Sequence, residues 1–299
     1  MAFKKVIQIG AAGALGSPVF DAMVKAGFEV SVLARGASKT VYPDEVKVFK
    51  AEFSDHNALV EAFRGQDVVI VTTGGFFDIE STTIPLIDAA IEAGVKRFIP
   101  SGWGFDLYAG SGSWNEHLIP KYKVRDYLSK KATEGKITWT NIACGLFYDW
   151  MFDLGLFNID IEKKRAGLYD TGDQKIMLTT LGSVADSVVG ILKNPEGTKN
   201  RSLRIHDFFI SNKEVLDTVE SLTGVTFETY NISTDDMTAQ SRLMPRTDQR
   251  VGVFALAISF GSARVVEWET PDDSQLLGLK TKDLREETEI SLRKNKLLV

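Results

Sequence analysis

The stretch Lys5-Val-Ile-Gln-Ile-Gly10-Ala-Ala-Gly13-Ala-Leu-Gly16 decides the fold of this chain. Its apolar start has no polar face, which is typical of a strand buried in a parallel sheet. The glycines predict a turn into a helix: Gly10 makes the turn, Gly13 lets the backbone approach a pyrophosphate, and Gly16 packs the helix against the strand. Free N–H groups at the start of such a helix bind phosphate. The stretch therefore predicts a dinucleotide site, and a plain tight turn without a ligand is the alternative.

Composition limits the classes of function. The chain has 299 residues, 44% of them hydrophobic and 25% charged, as in ordinary soluble globular proteins. A net charge of −5 gives no basic surface for nucleic acid. The single cysteine, Cys144, and three scattered histidines do not suggest a disulfide framework or a zinc site, so we expect no metal. No apolar run is long enough to span a bilayer, and the first strand leaves no room for a signal peptide. We expect a cytoplasmic protein without a membrane partner.

The end of the second strand favours NADP over NAD. An NAD site places an acidic residue about twenty positions after the glycines, where it binds the ribose 2′-hydroxyl. This chain has Arg35 there, with Lys39 close behind. A guanidinium can bind a 2′-phosphate in bidentate fashion, and a second cation adds attraction. The alternative is a solvated basic loop without a ligand.

Three further positions are candidates for cofactor contact. Asp55 follows the third strand, and it either accepts from the adenine amino group or caps the next helix. The small residues Thr73 and Gly74 end the fourth strand and leave space for a ribose. Phe76 follows them and either forms a wall beside the nicotinamide or fills the loop.

Alternating strands and helices through the first half predict an α/β fold, a Rossmann-type doubly wound parallel sheet with a smaller C-terminal substrate-binding lobe. We expect a dinucleotide-binding domain over residues 1–155 and a cap lobe over 156–299, with some segments of the lobe returning to the sheet. Aromatic residues at strand ends, such as Phe147 and Tyr148, suggest an apolar substrate pocket. A packing cluster is the alternative.

Several motifs together resemble one family. They are Gly10–Gly16, Val32-Leu-Ala-Arg35, the run Leu86–Ser101, Trp103–Asp106, Lys121 followed by Val124-Arg125, and Gly145-Leu-Phe147. They resemble the NmrA-like and isoflavone-reductase-like group of atypical short-chain dehydrogenases. The resemblance implies a reductase that moves hydride from NADPH to a small, often aromatic substrate. Two departures concern substrate identity: Gly102 where the family often has glutamate, and Thr83 where it often has glutamine.

The resemblance also places the catalytic residues. The family's functional lysine falls on Lys121, which would stabilise a developing oxyanion as an ammonium group or give it a proton. In the register of the ordinary Tyr-x-x-x-Lys pair, His117 replaces the tyrosine and is a candidate proton relay. A literal match at Tyr127 and Lys131 lies further along, and we interpret it as a coincidence. The alternative for Lys121 is a surface lysine.

The sequence thus gives a defined set of candidates. We predict catalytic roles for Lys121 and His117. The predicted cofactor contacts are Gly10, Ala12, Gly13, Leu15, Gly16, Arg35, Lys39, Asp55, Thr73, Gly74, Phe76, Ser101 and Lys121, and the predicted substrate contacts are Trp103, Phe147, Tyr148 and Met151.

The competing hypothesis is a regulator of the NmrA type, which binds NADP without turnover and reports redox state. An epimerase or dehydratase is a third interpretation, and the missing tyrosine at position 117 argues against it. The partner we expect is a small-molecule substrate, bound by a monomer or homodimer.

Overall fold

The computed structural model describes residues 3–74, 78–107, 118–245, 247–261 and 272–298. Phe76 and His117 lie outside these ranges. In chain order the elements are β1 (Lys5–Ile9), α1 (Gly16–Lys25), β2 (Glu29–Ala34), β3 (Lys47–Lys50), α2 (His56–Phe63), β4 (Val68–Val71), α3 (Ile79–Glu92), β5 (Arg97–Ile99), α4 (Ile119–Thr133), β6 (Thr138–Ala143), β7 (Leu146–Phe147), α5 (Tyr148–Asp153), β8 (Ile159–Asp160), β9 (Arg165–Tyr169), β10 (Lys175–Thr179), α6 (Leu181–Lys193), β11 (Arg201–Arg204), β12 (Phe208–Ser211), α7 (Asn212–Thr223), β13 (Glu228–Ile232), α8 (Thr234–Leu243), α9 (Asp248–Phe260), α10 (Ser274–Leu277) and α11 (Leu284–Lys294).

Among the described residues, the main sheet has seven parallel strands in the order β11-β6-β5-β4-β1-β2-β3. Its central strand β4 is apolar throughout, as expected where helices cover both faces, and all four of its residues are buried. The predicted doubly wound α/β fold is confirmed.

The strand order places a crevice beside β1. β2, the next strand along the chain, pairs with one edge of β1, and β4 pairs with the other edge. Ile9 on β1 therefore lies between Leu33 on β2 and Val71 on β4. The helices that follow β1 and β4 therefore leave the sheet in different directions, and ligands bind at the carboxyl ends of strands at such a switch point. The Gly10 turn lies at this position.

One strand of the main sheet comes from the second half of the chain. β11 pairs in parallel with β6, with Leu203 opposite Ile142. By its internal contacts the first compact unit comprises Met1–Ala143, Val184–Arg204 and Asp273–Leu279. A division of cofactor and substrate roles at residue 155 stays a prediction.

A buried arginine, Arg97, connects the main sheet to the turn that precedes β11. The Arg97 guanidinium donates to Thr138 Oγ1 and Thr140 Oγ1 on β6, each at 2.7 Å, and to the carbonyl oxygen of Pro195 at 2.7 Å. Burial lowers the pKa of Arg97 to about 10, so the group stays charged at neutral pH. Its hydrogen bonds hold β5, β6 and the turn before β11 together.

The second compact unit comprises Cys144–Ser183, Ile205–Asp272 and Lys280–Val299. Two three-stranded sheets lie in its described part, ordered β12-β10-β7 and β13-β9-β8. Tyr148 packs in an aromatic core with Phe152, Phe157 and Phe208. None of the helices in the described ranges is both long and apolar enough to cross a membrane.

Candidate active site

The turn after β1 depends on two glycines that leave no room for a side chain. Gly10 has a φ of +87°, and a Cβ there would lie 2.7 Å from the backbone nitrogen of Thr73. A Cβ on Gly16 would lie 1.9 Å from the carbonyl oxygen of Gly10. Gly13 has more space, since its Cβ would lie 3.3 Å from that same oxygen. The start of α1 therefore packs directly on the turn, while Gly13 leaves the turn's surface open.

A glutamine inside β1 locks this turn to β4. Gln8 is fully buried, and its Nε2 donates to the carbonyl oxygen of Gly16 at 2.9 Å and to Thr72 Oγ1 at 3.0 Å. The Thr72 hydroxyl donates in turn to the carbonyl oxygen of Ile9 at 2.9 Å. Sequence reasoning did not assign Gln8 a role. The signal was present, because a polar residue inside an apolar buried strand needs hydrogen-bond partners.

A groove of about 1110 Å³ lies at the carboxyl ends of the strands. This volume is slightly above the range of about 300–1,000 Å³ that is typical of small-molecule sites, so the groove has room for a large ligand such as a dinucleotide. The lining includes six of the predicted cofactor residues, namely Gly10, Ala12, Gly13, Arg35, Thr73 and Gly74. It also includes Tyr42, Glu52, Phe53 and Ser54, which the sequence analysis had not named.

Apart from Ser101 and Lys121, which line a smaller cavity, four predicted cofactor residues in the described ranges do not line this groove. Leu15 is buried, and Gly16 packs on the turn. Asp55 caps α2 by accepting from the backbone N–H of Ala58 at 3.1 Å, which is the capping alternative. Lys39 is exposed and follows Ser38, which does line the groove. Direct cofactor contact by these four residues stays a prediction.

The exposed Arg35 lines one end of the groove, together with Ser38 and Tyr42. Glu52, also in the lining, accepts from the backbone N–H of Gly36 at 3.1 Å. This hydrogen bond fixes the carboxylate on the β2–β3 loop. The Arg35 guanidinium therefore has the position and charge to bind an anion at this end.

Lys121 lies on α4 and is buried, with 8% of its surface exposed. Its Nζ donates to the carbonyl oxygen of Trp103 at 3.3 Å. By contrast Lys123, two residues along the same helix, is exposed and pairs with Glu80 at 2.9 Å. Lys121 is thus a buried lysine and not a surface lysine.

The surroundings of Lys121 adjoin the groove. Lys121 and Ser101 line a small cavity, and Ser101 Oγ donates to the carbonyl oxygen of Thr73, a groove residue, at 2.8 Å. Ile79 lines both spaces. The arrangement places a cation at the side of the groove that β4 and β5 form.

Tyr127 and Lys131, the literal Tyr-x-x-x-Lys match, make contacts away from the groove. Tyr127 donates to Asp88 at 2.5 Å, and burial together with that carboxylate raises the pKa of Tyr127 to about 12. Lys131 lies over the Tyr127 ring, 5.1 Å from its centroid. Neither residue lines the groove or the small cavity. This agrees with the interpretation of the match as a coincidence.

The predicted substrate residues fall into two groups. Trp103 is buried, and its indole Nε1 donates to the carbonyl oxygen of Val71 at 3.0 Å. In the second unit, Tyr148 is fully buried with its hydroxyl 2.6 Å from Thr288 Oγ1, and Met151 is buried as well. These are the surroundings that the packing alternative predicts. Phe147 is half-buried, so it stays a candidate for substrate contact.

The chain belongs to the NmrA-like family, since the family description matches residues 3–277. This confirms the resemblance seen in the sequence. The chain is 35% identical over 228 residues to oxidoreductase aprR of Aspergillus flavus, with 74% of each chain covered. It is 28% identical over 290 residues to oxidoreductase poxI of Penicillium oxalicum, covering 92% of this chain and 90% of the relative.

Solved structures share the fold. The structure described as AtPrR2 with NADP+ and (+)pinoresinol superimposes with a TM-score of 0.79 at 21% identity, covering 97% of this chain and 99% of that chain. The crystal structure of isoflavone reductase gives a TM-score of 0.77 at 19% identity, covering 96% and 99%.

The glycine turn makes a first prediction. Gly16→Ala should lower the free energy of unfolding by about 2 kcal/mol, because the methyl group overlaps the Gly10 carbonyl oxygen and the backbone must shift. Gly13→Ala is the matched control, and it should change that free energy by less than about 1 kcal/mol. Urea unfolding measures both. Equal losses in the two variants would show that α1 does not pack on the turn as described.

Proposed function

We propose that this protein is an NADPH-dependent oxidoreductase that reduces a small aromatic, enone or ketone-type substrate. The observation that carries the proposal is the buried Lys121 beside a dinucleotide-sized groove at the switch point of the sheet. When bound, NADPH supplies the hydride. The relatives named as oxidoreductases support this activity, and the solved neighbour with NADP+ and (+)pinoresinol supports the cofactor and an aromatic substrate.

The residues of the groove fit the cofactor. The glycine turn at the start of α1 would hold the pyrophosphate, because Gly13 leaves the backbone accessible there. Arg35 would bind the 2′-phosphate, the group that distinguishes NADPH from NADH. Thr73 and Gly74 would border the ribose nearer to Lys121.

The role of Lys121 follows from its charge and burial. A buried ammonium group stabilises an oxyanion more strongly than one in water, because little solvent screens it. The same group can give the oxyanion a proton. The Trp103 carbonyl holds one N–H of Lys121 in place. We therefore assign Lys121 the task of stabilising or protonating the oxygen of the substrate as hydride arrives.

Cofactor preference tests the assignment of Arg35. Arg35→Ser should weaken NADPH binding about tenfold or more and leave NADH binding unchanged, since a lost charge-assisted hydrogen bond costs about 1.5–3 kcal/mol. Isothermal titration of each nucleotide measures this. Arg64→Ser is the control, because Arg64 is exposed, pairs with Glu61 and does not line the groove. Equal affinities of the unmodified protein for NADPH and NADH would rule out a 2′-phosphate site at Arg35.

Turnover tests the assignment of Lys121. Lys121→Met should lower kcat about 100-fold or more, as loss of an oxyanion-stabilising group does, with NADPH affinity changed by less than about threefold. NADPH oxidation is followed with a panel of quinones, enones and aromatic ketones. The control is Lys123→Met, which removes an exposed lysine from the same helix.

The same panel separates enzyme from regulator. Tight NADPH binding with no turnover of any compound in the panel would favour a redox-sensing regulator of the NmrA type. Unchanged kcat in Lys121→Met would move the catalytic role to another residue.

A further inference from the structure

A small cavity lies beside Lys121. It has a volume of about 10 Å³, and its lining includes Ser101, Gly102, Lys121 and Asn141. A cavity of this size holds about one water molecule, provided that polar groups line it. Ser101, Lys121 and Asn141 contribute polar side chains to its lining, so a bound water would find partners there.

Asn141, on β6, begins a partly buried series of hydrogen bonds. Its Nδ2 donates to Ser202 Oγ at 3.0 Å, and Ser202 Oγ donates to Asp106 Oδ1 at 2.9 Å. Arg204 Nε donates to the other oxygen of Asp106 at 2.6 Å. Ser202 and Arg204 lie on β11, so this strand determines how the Asn141 side chain is held.

The direction of each hydrogen bond in this series fixes the orientation of the Asn141 side-chain amide. The Asp106 carboxylate, paired with Arg204, only accepts, so the Ser202 hydroxyl is the donor in their hydrogen bond. Ser202 Oγ must then accept from Asn141, which turns the NH₂ group of Asn141 toward β11. Its Oδ1 is therefore directed to the opposite side, at the wall of the cavity.

Asn141 Oδ1 lacks a hydrogen-bond donor within the described ranges, although Asn141 is fully buried. Buried acceptors of this kind are rare in native proteins unless water satisfies them. Gly102 makes room for the oxygen, since a Cβ there would lie 1.7 Å from Oδ1. The glycine and the asparagine thus form the cavity wall together.

We propose that one water molecule binds in this cavity, donating a hydrogen bond to Asn141 Oδ1 and accepting one from Lys121 Nζ. Asn141 is then a positioning residue for Lys121, and the proposal rests on the function assigned to Lys121 above. With the Trp103 carbonyl and the water as acceptors, two N–H bonds of the ammonium group have fixed directions. These two fixed N–H bonds determine how the Lys121 ammonium group is oriented toward the groove.

The acceptor Asn141 Oδ1 matters because positively charged residues line the same cavity. Arg125 lines the same cavity, so two cations face one small space. The Arg125 guanidinium donates to the carbonyl oxygen of Leu107 and pairs with Asp126, and the Asp106 carboxylate lies beyond Ser202. Asn141 Oδ1 is a hydrogen-bond acceptor at the wall of the cavity that Lys121 and Arg125 also line. Its loss should disfavour the charged form of Lys121.

Two substitutions of Asn141 test the proposal. Asn141→Leu keeps the branched shape but removes the Oδ1 acceptor together with the Nδ2 donor to Ser202, a donor that Asn141→Ala removes as well. Asn141→Leu should lower kcat about tenfold with KM and NADPH affinity unchanged, as misplacement of a catalytic group does. The alkaline limb of its kcat profile should move to lower pH. Asn141→Ala removes more atoms but leaves space for a second water in place of Oδ1, so it should keep kcat within about threefold of the unmodified protein.

Thr140→Val is the matched control. Thr140 precedes Asn141 on the same strand, points to the opposite face and donates to the carbonyl oxygen of Thr198 at 2.7 Å. This variant should lose stability without a change in kcat. Loss of kcat in step with loss of stability across the three variants would overturn the proposal, and so would unchanged kcat in Asn141→Leu.

A crystal structure of the unmodified protein at about 1.5 Å gives a result that does not depend on turnover. We expect an ordered water within hydrogen-bond distance of both Asn141 Oδ1 and Lys121 Nζ. A direct bond between these two atoms, or no water at this position, would overturn the proposal. If the unmodified protein turns over no compound of the panel, the proposed function fails, while the crystal structure still decides whether the water is bound.

Discussion

The rest of this site depends on one close contact, between the start of α1 and the turn that follows β1. No side chain fits at Gly10 or Gly16, because each lies against backbone atoms. The Gln8 amide then ties this contact to Thr72 at the end of β4. The two strands on either side of the switch point are thereby held in register, and the helix begins where phosphate would bind. The groove is a consequence of this packing.

Charge divides the groove into two ends. Arg35 lies at the end formed by β2 and β3, and it is exposed, as a group that recognises a mobile phosphate can be. Lys121 lies beside the end formed by β4 and β5, and it is buried, which strengthens its electrostatic effect on a reacting group. Arg35 is therefore suited to binding a phosphate, and Lys121 is suited to stabilising charge on a reacting group. The orientation of the cofactor in our proposal follows from this difference in burial.

Local patterns in the sequence were sufficient to predict the sheet, the glycine turn and the candidate role of Arg35, and the family resemblance supplied the candidate role of Lys121. The role of Gln8 escaped prediction because its partners lie on different elements, Thr72 being 64 residues away. The Asn141–Ser202 bond spans 61 residues and depends on β11. Some segments of the lobe were expected to return to the sheet, but no local pattern identified β6 as the neighbour of β11. For Asp55, a short polar residue before a helix fits capping and ligand binding equally well, and only the structure shows the cap. Burial of Lys121 likewise depends on how α4 packs.

The most direct test of this account is a crystal structure of the protein with NADP+ bound. We predict the 2′-phosphate at Arg35, the pyrophosphate on the turn from Gly10 to Gly13, and the nicotinamide ring next to Lys121. A cofactor bound in the reverse orientation, or one whose nicotinamide lies away from Lys121, would contradict the account.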